Sequence, residues 1–124
     1  MARGMLAAGA LAMALAVALG AVAAHASKGA ANPDAARLLQ TAVTYHLVHG
    51  LALVIEGALA RAGTTRWLAA AFALHVCGIV LFCGSLWVLA FTQVSLGPAA
   101  PTGGLALIAG WAALAVHAFR MPRA

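Results

Sequence analysis

The stretch that decides the fold is WLAAAFALHVCGIVLFCGSLWVLAFTQVSLGPAAPTGGLALIAGWAALAVHAF, residues 67–119. Its 53 residues contain no Asp, Glu, Lys or Arg. A helix needs about 20 apolar residues to cross the hydrocarbon core of a bilayer. The run is too long for one crossing and long enough for two. Two clusters break it, Gln93-Val94-Ser95-Leu96-Gly97-Pro98 and Pro101-Thr102-Gly103. Gly and Pro set turns, and Pro does not continue a helix interior. The stretch therefore predicts a helix over about 67–91, a loop, and a helix over about 102–119.

Upstream, Arg61, Gly63, Thr64, Thr65 and Arg66 form a short polar loop. Before it, Asn32-Pro33-Asp34 reads as a helix start. Asn is a good N-cap, Pro suits the first helical position, and Asp suits the positive end of the helix dipole. A second helix is predicted over 33–60, with its membrane part over about 43–60, because residues 34–44 are mixed in polarity. Tyr45 is then expected near the membrane–water boundary, where polar-tipped aromatics are favoured. The first helix is predicted over about 5–25. Ala12, Ala16, Gly20 and Ala24 recur every four residues there, a seam for close helix approach. Ala24-His25-Ala26 also has the form of a signal-peptidase site. The apolar run before it is longer than the about 7–15 residues of a signal core, so a retained helix is expected.

The whole chain has 124 residues, 65% of them hydrophobic and 7% charged. An ordinary soluble domain is about 45–50% apolar and about 25% charged. The composition excludes a soluble globular protein, a disordered chain and a nucleic-acid binder. It implies one all-α membrane domain, residues 1–124, built as a four-helix transmembrane bundle with the lipid bilayer as its first partner. The net charge of +5 reads as topology. Arg3, Arg61, Arg66, Arg120 and Arg123 fall on one side, against Lys28 and Arg37 on the other. Lys and Arg accumulate in the cytoplasm, so both termini are expected there.

Ionisable groups at membrane depth are costly and default to functional candidates. The candidates are His25, Tyr45, His49, Glu56, His75, Ser85 and His117. His46, His49, Leu53 and Glu56 fall on one helical face by the 3.6-residue period, and that stripe is expected to face the bundle interior. Gly103, Gly110 and His117 repeat every seven residues and make a second packing stripe. Three readings stay open. His25, His46 and His49 could converge on a metal or haem, although no carboxylate lies nearby to complete the set. The outer histidines, His75, Glu56 and His117 could step a proton or ion across the membrane. Or Glu56 could snorkel to Arg61 or Arg66 while the histidines bond across helices. Catalysis is not expected: Ser85 and His75 are ten residues apart on one helix, and Cys83 has no His within four positions. Cys77 and Cys83 point apart on one helix and read as small packing residues. No cofactor is called for. The packing residues expected to let helices approach are Ala16, Gly20, Gly78, Gly84, Gly103, Gly104 and Gly110.

Four stretches carry a resemblance. They are Gly20-Ala21-Val22-Ala23-Ala24-His25; Tyr45-His46-Leu47-Val48-His49-Gly50-Leu51-Ala52-Leu53; Gly78-Ile79-Val80-Leu81-Phe82-Cys83-Gly84-Ser85-Leu86-Trp87; and Pro101-Thr102-Gly103-Gly104 leading to Gly110-Trp111. In this order and spacing the chain resembles domain-of-unknown-function family 423, small four-helix membrane proteins related to a mitochondrial transmembrane protein of animals. The chain departs from the family pattern where Val22 and Ala23 replace Phe and Gly, where His46 replaces Gln, and where Cys83 replaces Ser. Trp87 stands for Tyr and Ala100 for Thr. His25 and His49 fall on family positions and His46 does not, which counts against a paired-histidine metal site. The resemblance implies four helices with the first retained, and a bacterial inner membrane. It brings no substrate and no cofactor. On this reading the protein is a structural or accessory membrane component, as a homo-oligomer or with a membrane-protein partner; a subunit of a small proton, ion or solute transporter is the alternative.

Overall fold

The computed structural model describes residues 1–29 and 33–121. The N-cap expected at Asn32 and the cation Arg123 lie outside the described residues. Helix α1 spans Ala2–Gly29 and α2 spans Pro33–Leu59. Helix α3 runs through Arg66–Thr92, and α4 spans Ala99–Phe119. All four are long and apolar enough to cross a membrane.

The third helix is not uniform. Arg66–Gly78 is α-helical, Ile79–Cys83 is one π-helical turn, and α-helix resumes at Gly84–Thr92. The Gly84 N–H reaches back five residues to the Ile79 carbonyl, the bonding that defines a π turn. Ser85 donates its hydroxyl to the Leu81 carbonyl beside it. The helix ends at Gln93, a non-glycine residue in the left-handed region at φ 59°. Helix α4 begins at Ala99, before the expected 102. Pro101 is tolerated inside its first turn because that turn's N–H groups have no intrahelical acceptor.

Antiparallel pairing of α1 with α2, and of α3 with α4, builds two hairpin-like layers that meet through α2 and α3. The first pair has a fixed register. Gly9 abuts Val54, Gly57 abuts Leu6 and Met5, Gly50 abuts Met13, and Gly20 abuts Val43. In the second pair Gly78 meets Leu107, Gly103 meets Leu81 and Phe82, and Gly110 meets His75. Core side chains stack in three layers along the axis. Met5, Ala60 and Leu68 form one end layer; Ala42, Leu53, Ile79, Cys83 and Leu107 the middle; Ala23, Leu39, Val43 and Ala90 the other end.

Several expected packing residues behave differently. Ala16 is fully buried, and Gly20 sits 3.4 Å from Val43 as a snug contact. Ala24 is exposed and Ala23 is buried in its place, because a straight helix drifts off a strict four-residue repeat. A Cβ on Gly84 would meet nothing within 4 Å. The π turn before it inserts an extra residue and turns that position away from the neighbouring helices. Gly104 has ordinary room, with the Phe82 ring 3.7 Å from where a Cβ would stand. Gly78, Gly103 and Gly110 are the close-approach positions of the second pair.

Tyr45 is not at a helix end. It lies about 18 Å along α2 from Pro33 at 1.5 Å per residue. The polar residues before it are satisfied within their own helix. Thr41 donates to the Arg37 carbonyl and Thr44 to the Gln40 carbonyl. Such back-bonding hides hydroxyls from their surroundings. By length and composition, Asp34–Leu59 as a whole is long and apolar enough to cross a membrane.

Candidate functional site

Glu56 and His75 meet at the contact between α2 and α3, and both are 0% exposed. The His75 Nδ1–H donates to Glu56 Oε1 at 2.8 Å. Helix geometry explains why Glu56 turns to His75 and not, as the sequence suggested, to Arg61 or Arg66. Every Cα–Cβ bond leans toward its helix N-terminus. Glu56 therefore leans away from the α2–α3 loop, and His75, on a helix of opposite direction, leans toward it. The two side chains converge between the helices.

The remaining polar atoms of the pair, Glu56 Oε2 and His75 Nε2, are buried without a hydrogen-bond partner. Leaving one buried polar atom unsatisfied costs about 1–3 kcal/mol. Gly110 creates the space for the imidazole: a Cβ there would stand 2.6 Å from His75 Nε2. This gives the seven-residue spacing of Gly103 and Gly110 a use that packing alone did not suggest.

A second imidazole adjoins the first. His49 lies with its ring 5.5 Å from that of His75, and both contact the Trp111 indole, at 5.9 and 5.1 Å between centroids. The His49 Nδ1–H donates to the Tyr45 carbonyl at 2.7 Å. The Tyr45 ring stacks on His49 at 5.8 Å and packs against Phe82 at 4.8 Å. Tyr45 and Trp111 are themselves partly exposed on the outer surface of the bundle. Two amphipathic aromatics thus separate a buried imidazole–carboxylate row from the exterior. Trp111 was missed as a site residue. Its position directly after Gly110 was the available signal.

The other candidates stand apart. His46 is buried on the α1 side of α2, lining a hollow with Ala8, Ala12 and Leu15. His25 is exposed and donates from Nδ1 to the Ala21 carbonyl at 2.8 Å. His25, His46 and His49 do not converge, and among the described residues no three His, Cys, Asp or Glu side chains are grouped to hold a metal ion. Ser85 spends its hydroxyl on its own helix. His117 is buried at the opposite end from His25. There the Thr65 hydroxyl is hydrogen-bonded to His117 Nδ1 at 2.9 Å and accepts from the Leu68 N–H at 3.2 Å, so it also caps α3. The stripe of His46, His49, Leu53 and Glu56 is buried along its length. Cys77 is exposed and Cys83 buried, both as free thiols.

Residues 19–104 match the family model described as "Protein of unknown function (DUF423)". A UPF0382 membrane protein of Staphylococcus haemolyticus is 39% identical over 117 residues, covering 90% of this chain and 92% of its own length. The UPF0382 membrane protein YwdK of Bacillus subtilis is 38% identical over 120 residues, with 90% and 93% covered. Another from Staphylococcus epidermidis is 40% identical over 113 residues, with 87% and 88% covered. No solved structure matches the chain. The family model, the relatives and the four apolar helices agree, and the chain belongs to the DUF423 family of multi-pass membrane proteins.

Proposed function

We infer that this protein is a non-catalytic module of a bacterial inner-membrane complex and that its working part is the row Tyr45–His49–His75–Glu56, which holds and passes a proton. The observation that carries this reading is the buried Glu56–His75 pair with one unpartnered atom on each member. With one proton shared between Nδ1 and Oε1 and a second on His75 Nε2, the carboxylate–imidazole pair is neutral overall, whichever member carries the shared proton. That makes it tolerable in a low-dielectric bundle, where an isolated charge is not. Buried unsatisfied atoms call for an explanation, and a site that takes up and releases a proton has a use for a vacant lone pair. His49 is the next acceptor. Ring rotation, or one bridging water, closes the 5.5 Å between ring centroids. Four helices enclose no wide pore, so through-membrane conduction requires a second copy or a membrane-protein partner.

Both termini face the cytoplasm on this reading. Its support is the bundle end carrying Arg3, Arg61, Arg66 and Arg120, with Arg123 following in sequence, against Lys28 and Arg37. Reporter fusions at positions 30 and 124 check it, and an external carboxyl terminus would reverse it.

Proteoliposomes carrying a trapped pH dye test the proton reading. Wild-type protein passes protons under an imposed gradient, and Glu56→Gln abolishes the flux. Glu56→Gln keeps an oxygen for the His75 N–H, so its thermal melting in detergent stays close to wild type. Absence of wild-type flux, alone and with co-purified partners, rejects the reading. A second reading is purely structural. It is favoured by the glycine contacts that lock α1 to α2, and it expects Glu56→Gln to change nothing measurable.

A further inference from the structure

Among the described residues, the bundle end that carries the α2–α3 loop holds cations without acidic side chains beside them. The chain contains two acidic residues. Asp34 lies at the opposite end, ion-paired with Arg37 at 3.2 Å, and Glu56 is spent on His75. Arg3, Arg61, Arg66 and Arg120 therefore share one end with no carboxylate among the described residues. Arg3 and Arg61 lie together, lining one hollow with Ala2 and Leu6.

Arg66 and Arg120 are held more tightly. Arg66 opens α3 and Arg120 follows the last turn of α4. Their guanidinium carbons sit over the same indole, Trp67, at 5.4 and 5.3 Å from its centroid. Two like charges gathered on one ring repel each other. A cation–π contact contributes about 0.5–1 kcal/mol at an exposed site, which makes it a weak reason to keep both there. The Trp67 Nε1–H is buried without an acceptor. Beside Arg120 lies an open hollow of about 240 Å³, lined also by Thr64, Thr65, His117 and Leu59. Two guanidinium groups held over one ring, one of them lining a hollow at a helix-bundle end, are what a phosphate-bearing ligand needs.

We propose that Arg66 and Arg120, gathered on Trp67 beside the Thr64–His117 hollow, clamp the phosphate of an anionic membrane phospholipid. The source is a lipid because the clamp lies at the ends of membrane-spanning helices, where Trp67 and Ala70 line an open hollow with Arg66. The acyl chains lie along the bundle while guanidinium forks take the phosphate oxygens, a geometry Lys would match less well. This site is separate from the Glu56 row and does not depend on how that row works.

Native mass spectrometry of the delipidated full-length protein tests the clamp, by titration with phosphatidylglycerol and with phosphatidylcholine. Phosphatidylglycerol binds more tightly, and Arg66→Gln combined with Arg120→Gln removes about 30-fold of that affinity, the sum expected for two cations at an anionic surface. Lys28→Gln with Arg37→Gln, at the far end, leaves it unchanged. Arg66→Lys with Arg120→Lys retains most of the preference for the anionic lipid. Equal wild-type affinity for the two lipids overturns the proposal whatever the variants do to folding. An equal loss from the far-end pair also overturns it, as does full displacement by inorganic phosphate, which would assign the site to a soluble anion.

Discussion

Two helix pairs in this molecule use glycine for different ends. Between α1 and α2 the two tightest glycines, Gly9 and Gly57, face backbone. A Cβ on Gly57 would meet the Leu6 Cα at 2.6 Å, and one on Gly9 the Val54 N at 2.6 Å. Between α3 and α4, Gly110 faces an ionisable ring, with His75 Nε2 at 2.6 Å from the missing Cβ. The first pair gains close van der Waals contact, the main attraction available to helices in lipid. The second gives up part of that contact to seat a polar group. Glycine content alone does not tell the two uses apart; what stands opposite does.

Four substitutions probe this contrast, in falling order of effect. Glu56→Ala leaves His75 without its partner and opens a void between α2 and α3. Breaking a buried pair costs about 3–5 kcal/mol, read as a large drop in detergent melting temperature. A drop no larger than that of Glu56→Gln would show that the hydrogen bond is idle. Gly57→Ala is next, at about 1–3 kcal/mol of overpacking strain, because backbone atoms cannot move aside as a side chain can. Its test is whether α1 separates: a crosslink between cysteines placed at Leu6 and Ala58 should weaken.

Gly110→Ala is expected to cost less than Gly57→Ala, since the opposing imidazole can rotate. It should displace His75 from Glu56, and with it any proton flux, while leaving the α1–α2 crosslink intact. If Gly110→Ala loosens α1 as much as Gly57→Ala does, the two seams are one unit and the contrast fails. Gly84→Ala is the smallest effect and has the opposite sign. Open space surrounds that position, and replacing a helical Gly by Ala gains roughly 0.5–1 kcal/mol. A rise in melting temperature supports the outward orientation that the π turn gives this residue.

Much of the architecture was legible in the sequence because bilayer length and hydropathy act on single segments. The 53-residue run with no Asp, Glu, Lys or Arg requires two helices on length alone. The stripe of His46, His49, Leu53 and Glu56 followed from periodicity within one helix, and the bundle buries it. The pairing of Glu56 with His75 was not legible, because it depends on how α2 and α3 are rotated toward each other. The Glu56–Arg61 or Glu56–Arg66 contact was the nearer alternative by chain distance and is not formed. Gly84 was misjudged because a π turn leaves no signature in a run of Ile, Val, Leu, Phe and Cys. Gly9 and Gly57 were missed among the many alanines, although Gly50 and Gly57 stand one heptad apart.

The Thr65 hydroxyl serves two partners separated widely in time as well as in sequence. It accepts from Leu68, three residues on, and is hydrogen-bonded to His117, which lies 52 residues downstream. During synthesis the start of α3 can be capped almost at once, yet the hydroxyl's bond to the imidazole waits until the closing turn of α4 has been made. The last helix to enter the membrane thus completes a bond left open by the loop before the third. A nascent chain stopped short of His117 has its first three helices but lacks this tie, and that gives the membrane a chemical difference between an unfinished bundle and a finished one.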